Sequence, residues 1–141
     1  GASAILITSR TYAEKNSIQI KAAIKGRSIV GVDWKRMGMG PLPATKNVLK
    51  SLDMTINDID VIELNEAFSA QALYVIKEGG WDASKINLNG GAIALGHPLG
   101  CSGARIITTL LSVMEQKNSK TGLATMCIGT GQGIATILER N

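Results

Sequence analysis

The residues with chemistry to offer are few and widely spaced. Cys127 ends an apolar run and opens the glycine-rich stretch Gly129-Thr130-Gly131-Gln132-Gly133. A thiol of ordinary pKa, about 8.5, serves as a base near neutrality only where donors or charges stabilise the thiolate. His97 is the only imidazole in the chain, and it lies in a segment, Gly90 to Gly103, that holds five glycines. Asn65 stands where an apolar strand gives way to a helical pattern. Taken singly, each has a plainer reading: Cys127 as a buried inert thiol, His97 as a structural or exposed ring, Asn65 as a helix cap. Cys101, near the start of a helix, is a second thiol with the look of a nucleophile. The glycine-rich segment lacks both the Gly-x-Gly-x-x-Gly spacing of a dinucleotide loop and the Lys-Ser/Thr ending of a phosphate loop.

The elements that must position these residues can be read from periodicity. Ala2 to Thr8 has the composition of a buried strand, and Arg10 to Asn16 suits a short helix. Ile18, Ile20, Ala22 and Ile24 alternate with polar residues, the period of a half-buried strand, continuing through Ile29 to Val32. Pro43 fits a first helical turn ahead of Ala44, Val48 and Leu52. Thr55 and Asp58 form a capping pattern before the apolar Val61-Ile62-Glu63-Leu64, and Phe68, Ala72, Val75 and Ile76 then repeat as a helix. Ile86 to Asn89 suits a brief strand. A strong apolar stripe of Ile106, Ile107, Leu110, Leu111 and Met114 marks a helix from Ser102. Leu123 to Ile128 and Ile134 to Leu138 are joined by a loop short enough to force an antiparallel hairpin. The expectation is an α/β fold of three layers, a mixed sheet of about five strands with helices on both faces. In such sheets ligands bind where strands end and loops begin, and Asn65, His97 and the glycines after Cys127 all fall at such places.

Composition narrows the function classes. With 141 residues and 45% apolar residues the chain is the size of one ordinary domain. The net charge of +4 comes from Lys and Arg scattered from Arg10 to Arg140, without the clustered stripe that nucleic-acid binding needs. No apolar run approaches the roughly 20 residues that span a bilayer, and Gly1-Ala2-Ser3-Ala4 lacks a signal peptide's charged start. Two cysteines are read as free thiols in a reducing compartment, so the expected setting is soluble and cytoplasmic. The abrupt opening on a strand looks like a cut from a longer polypeptide.

Three segments, Asn65-Glu66-Ala67-Phe68, Gly90-Gly91-Ala92-Ile93-Ala94-Leu95-Gly96-His97-Pro98-Leu99-Gly100-Cys101-Ser102-Gly103 and Cys127-Ile128-Gly129-Thr130-Gly131-Gln132-Gly133, closely resemble the thiolase family and occur in that family's order. The likeness extends over essentially the whole chain, including Met37-Gly38-Met39-Gly40-Pro41 and Ala44-Thr45. It implies a three-layer α/β thiolase fold in which residues 1–17 are a remnant of the amino-terminal domain and residues 18–141 the carboxy-terminal domain. It also implies the reversible Claisen condensation of two acetyl-CoA to acetoacetyl-CoA, through an acyl group carried on a cysteine that these residues do not include. Degradative thiolysis of a 3-ketoacyl-CoA is the alternative within the family.

By the same resemblance Cys127 is the acid/base thiol, His97 activates the acyl-carrying cysteine and donates to a thioester oxygen, Asn65 holds a water in that oxyanion hole, and the Gly129 amide belongs to a second one. Cys101 occupies a position that varies in the family and is read as packing. No metal or cofactor is implied, coenzyme A thioesters being substrates. The implied partners are an acyl-CoA, the amino-terminal thiolase half and, in the intact protein, further copies of itself, with neither nucleic acid nor membrane involved. On this reading the isolated chain is inactive. Its rivals are a non-catalytic half-domain that only pairs with a partner polypeptide and independent hydrolysis by a Cys-His pair. The related ketoacyl synthases place a second histidine or an asparagine where this chain has Cys127. Departures from the family pattern are Thr130 for a common glycine, Trp34 for a common proline, and Met126 before the cysteine.

Overall fold

A computed structural model describes residues 1–140. Its centre is a four-stranded mixed sheet of β1 (Ala23–Gly31), β2 (Val61–Leu64), β3 (Thr121–Cys127) and β4 (Gln132–Glu139), in the order β1-β4-β3-β2. β4 runs antiparallel to both β1 and β3, the latter pair being the expected hairpin, while β2 and β3 are parallel with Leu64 opposite Thr125. Around the sheet lie α1 (Arg10–Lys15), α2 (Pro41–Ser51), α3 (Ser69–Gly79), the single turn α4 (Ala92–Leu95) and α5 (Ser102–Gln116).

Strand alternation divides the core into two layers. Leu123, Ile137, Ile62 and Leu64 face α2 and α3, where Val48, Leu49, Ala72 and Val75 are buried against them. The other face, with Val61, Ala124, Met126 and Leu138, is covered by Ile106, Leu110, Val113 and Met114 of α5. Helices thus cover both faces, giving the three layers expected. Each large apolar side chain buried in this way contributes about 1.5–3 kcal/mol.

The structure corrects three expectations. Ala2 to Thr8 is not a strand: its backbone forms no ladder with another described strand, and Leu6 and Ile7 are exposed. A strand exists only where another backbone meets its N–H and C=O groups, and apolar composition alone does not supply that partner. The alternating stretch from Ile18 joins the sheet only at Ala23, so the strand is shorter at its start than its pattern.

Third, Ile86 to Asn89 contributes a single bridge, Ile86 to Ile62, instead of a fifth strand. Asn87 ends the pairing because its backbone turns into the left-handed region at φ 50°, which asparagine tolerates. Its side-chain amide then does the work of a strand, with Oδ1 accepting from the Leu64 N–H and Nδ2 donating to the Leu64 carbonyl, both at 2.9 Å. The open edge of β2 is thereby satisfied just before Asn65.

Candidate active site

The carboxyl ends of the parallel strands β2 and β3 lie side by side, and the Asn65 N–H continues their ladder by donating to the Thr125 carbonyl at 3.0 Å. Asn65 therefore leaves β2 at the end of the sheet where β3 delivers Cys127. Asn65 is fully buried, whereas Cys127 and His97 are half-buried.

His97 reaches this end from a loop tied down from both sides. On one side, Glu66 accepts from the Ile93 N–H at 3.0 Å and from Asn87 Nδ2 at 3.1 Å, clamping the turn α4 against the exit of β2. A Cβ on Gly91 would press on that carboxylate and on the Asn87 amide, so a larger residue there would displace the clamp. On the other side, Ser102 at the start of α5 donates to the Pro98 carbonyl at 3.1 Å and lies 2.6 Å from His97 Nδ1.

These bonds hold the ring in place, and the neutral ring has two tautomers that satisfy them. Where Ser102 gives its proton to Pro98, Oγ accepts from Nδ1 and Nε2 presents a lone pair; where Ser102 gives it to Nδ1, the imidazole proton sits on Nε2. Asn65 Nδ2 faces that nitrogen at 3.4 Å. Two residues 32 positions apart are thus brought together at the mouth of the sheet. Among the described residues no hydrogen bond joins Cys127 to either of them; what it shares with Asn65 is the end of the sheet.

Beyond Cys127 the hairpin loop has three successive residues of positive φ, Gly129 at 85°, Thr130 at 49° and Gly131 at 79°. Glycine adopts this freely, but a β-branched threonine does so at a cost of about 1–3 kcal/mol, which accounts for glycine being the common residue at position 130. The Gly129 carbonyl accepts from Gln132 at 3.0 Å, while its N–H donates to no group among the described residues. Cys101 is also a half-buried free thiol, and its N–H donates to the Pro98 carbonyl at 2.8 Å.

Sequence reasoning missed a buried pair beneath the site. Glu63, 1% exposed in the middle of β2, faces Arg105 of α5, with Nη1 and Oε2 3.6 Å apart. Among the described residues neither carboxylate oxygen has a hydrogen-bond donor, and Arg105 Nη2 donates onward to Asn65 Oδ1 at 3.4 Å. The available signal was a lone charge inside the apolar Val61-Ile62-Glu63-Leu64 run.

Burial pushes the Glu63 carboxyl up from 4.5 to about 7; Arg105 opposes the rise and Glu66 adds to it. Since the folded pKa lies above the unfolded one, the associated stability is full below pH about 4.5 and is lost as pH rises through about 7. Glu63→Gln cannot ionise. Urea unfolding against pH should therefore show the difference between variant and parent shifting in favour of the variant by on the order of 3 kcal/mol across that window. A difference that stays flat with pH would refute the assignment.

Comparison with known proteins bears on what this site is for. The family model described as "Thiolase, C-terminal domain" matches residues 18–140. A 3-ketoacyl-CoA thiolase of Vibrio vulnificus (strain YJ016) is 60% identical over 143 residues, spanning 99% of this chain and 37% of that protein. Among solved structures, a Bacillus anthracis acetyl-CoA acetyltransferase is 43% identical with a TM-score of 0.91, over 93% of this chain and 33% of that one. A human mitochondrial 3-ketoacyl-CoA thiolase in complex with CoA is 42% identical with a TM-score of 0.92, over 94% of this chain and 34% of that one. The chain therefore spans little more than a third of the length of the curated relative it matches.

Proposed function

Because the chain belongs to the thiolase family, matching that family's carboxy-terminal domain, we propose that it supplies the acid/base and oxyanion-holding side of an intact enzyme that cleaves or forms 3-ketoacyl-CoA. The observation that carries this reading is the Asn65–His97 contact at the end of the sheet to which β3 brings Cys127.

The roles follow from the chemistry. To make a carbon–carbon bond, a base must take a proton from the carbon beside a thioester, and the Cys127 thiolate is the base at hand. Charge moves onto the thioester oxygen as the proton leaves. A donor aimed there lowers the barrier, and His97 Nε2 becomes one once it has accepted a proton, ideally that of the acyl-carrying cysteine. Asn65 Nδ2, beside Nε2, is placed to hold a water that completes the pair of donors. When the carbanion attacks the acyl-cysteine carbonyl, the free Gly129 N–H can stabilise the second oxyanion. Run backwards, Cys127 protonates the departing enolate and coenzyme A releases the acyl group.

Two considerations shape the substrate. The 60% identity to a 3-ketoacyl-CoA thiolase supports the degradative reading, while the solved structures, one of each name at 43% and 42%, do not separate it from one confined to acetyl-CoA. The exposed apolar residues around the His97 loop, Ile93, Leu95 and Leu99, offer a surface that the rest of a thiolase would cover.

The test is thiolysis of a 3-ketoacyl-CoA by the purified chain, alone and with the preceding portion of the polypeptide supplied in trans. Turnover that appears only on complementation supports the proposal. Tight pairing without turnover would favour a non-catalytic assembly module, and turnover by the chain alone would overturn the division of labour.

A further inference from the structure

Asn65 can face His97 with either end of its amide, and the two ends have opposite consequences. Nδ2 toward Nε2 favours the ring whose proton is on Nδ1; Oδ1 toward Nε2 would favour a proton on Nε2 instead. What decides between them lies behind Asn65. Arg105 has donors only, and its Nη2 stands 3.4 Å from Oδ1. Turning the amide over would set an NH₂ group against the guanidinium and strand two buried donors face to face. Arg105 is itself held beside Glu63, 3.6 Å away, at a site only 1% exposed on the Glu63 side.

We propose that Arg105, steadied by the buried Glu63, is a positioning residue that holds the Asn65 amide with Oδ1 inward and Nδ2 toward His97, and through it selects the imidazole tautomer with a bare Nε2. The row runs Glu63, Arg105, Asn65, His97, Ser102, Pro98 carbonyl, and each member leaves the next one orientation. Ser102, three residues before Arg105 at the start of α5, has a hydroxyl that can turn to Pro98 or to Nδ1 and so follows the choice that Arg105 makes from the other side. The arrangement explains why a charged pair with unmet hydrogen-bonding atoms, Glu63 Oε1 and Oε2 and Arg105 Nε and Nη1, lies inside the core: its remaining donor is directed at the site.

The inference extends the thiolase reading but can be tested apart from it, because His97 is the only histidine. In the ¹⁵N-labelled chain at alkaline pH, long-range proton–nitrogen correlation of the imidazole reports which nitrogen is protonated. Arg105→Met alone would bury Glu63 without its counter-ion and risks unfolding, so the informative variant is Glu63→Gln with Arg105→Met, which removes both charges. We expect the parent to show the Nδ1–H form, the double variant to remain folded but show a mixture of both forms, and Arg105→Lys, which keeps a donor, to restore Nδ1–H.

A folded double variant that keeps Nδ1–H alone would overturn the proposal, as would a parent that is not Nδ1–H. In the intact protein the same double variant should lose roughly tenfold to a hundredfold in kcat, with KM for the acyl-CoA little changed. A scrambled tautomer with unchanged kcat would sustain the positioning role and count against the thiolase reading.

Discussion

Replacing Cys127 by alanine in the intact protein is expected to lower kcat for thiolysis of a 3-ketoacyl-CoA by roughly 10²–10⁴-fold, the range a well-placed acid/base group supplies. KM should change little, because the thiol is asked to move a proton and not to hold the substrate. Folding should survive: Cys127 is half-buried at the last position of β3, and the ladder to Gly133 uses backbone groups. Serine at this position should rescue little of the loss, since a hydroxyl is far too weak an acid to offer an anion near neutrality. The steady-state constants of the alanine and serine variants check both expectations.

His97→Ala is the second large effect, and we expect a loss of at least about 10³-fold in kcat/KM. Two roles fall together, activation of the acyl-carrying cysteine and donation to the thioester oxygen, and one oxyanion donor alone is worth about 10²–10³-fold. The roles share one ring, so their losses will not simply multiply. Structure should be largely preserved, because Ser102 keeps its bond to Pro98 and the clamp at Glu66 lies on the other side of the loop. A pre-steady-state experiment separates the roles: the acyl-enzyme should form more slowly in the variant, and its consumption should slow as well. A variant that acylates at the parent's rate would remove His97 from the first role.

Much of the scaffold is written locally. The apolar run of Val61–Leu64 and the stripe of Ile106–Met114 place β2 and α5 because each pattern states what the element buries. The same logic misled at Ala2 to Thr8, where a sequence fit for burial met no backbone to pair with, and at Ile86 to Asn89, where the Asn87 side chain replaced the strand. For the site, Asn65, His97, Cys127 and Gly129 were singled out by residue type, glycine surroundings and a family resemblance, and the structure sets Asn65 against His97. Arg105 and Glu63 could not be paired in advance. Their meeting depends on how α5 crosses β2, a packing angle that neither segment encodes alone, and Arg105 carries a polar signal common to any helix flank.

The central claim is that Cys127 and the Asn65–His97 pair act on one and the same thioester. Removal of the proton beside that thioester can be watched by itself, as exchange of deuterium from solvent into the acyl methyl group of acetyl-CoA, followed by NMR in the intact protein with its acyl-carrying cysteine replaced. The account predicts that exchange persists without that cysteine and falls sharply in each of Cys127→Ala, His97→Ala and Asn65→Ala. Exchange that proceeds at the parent's rate in Cys127→Ala would contradict it.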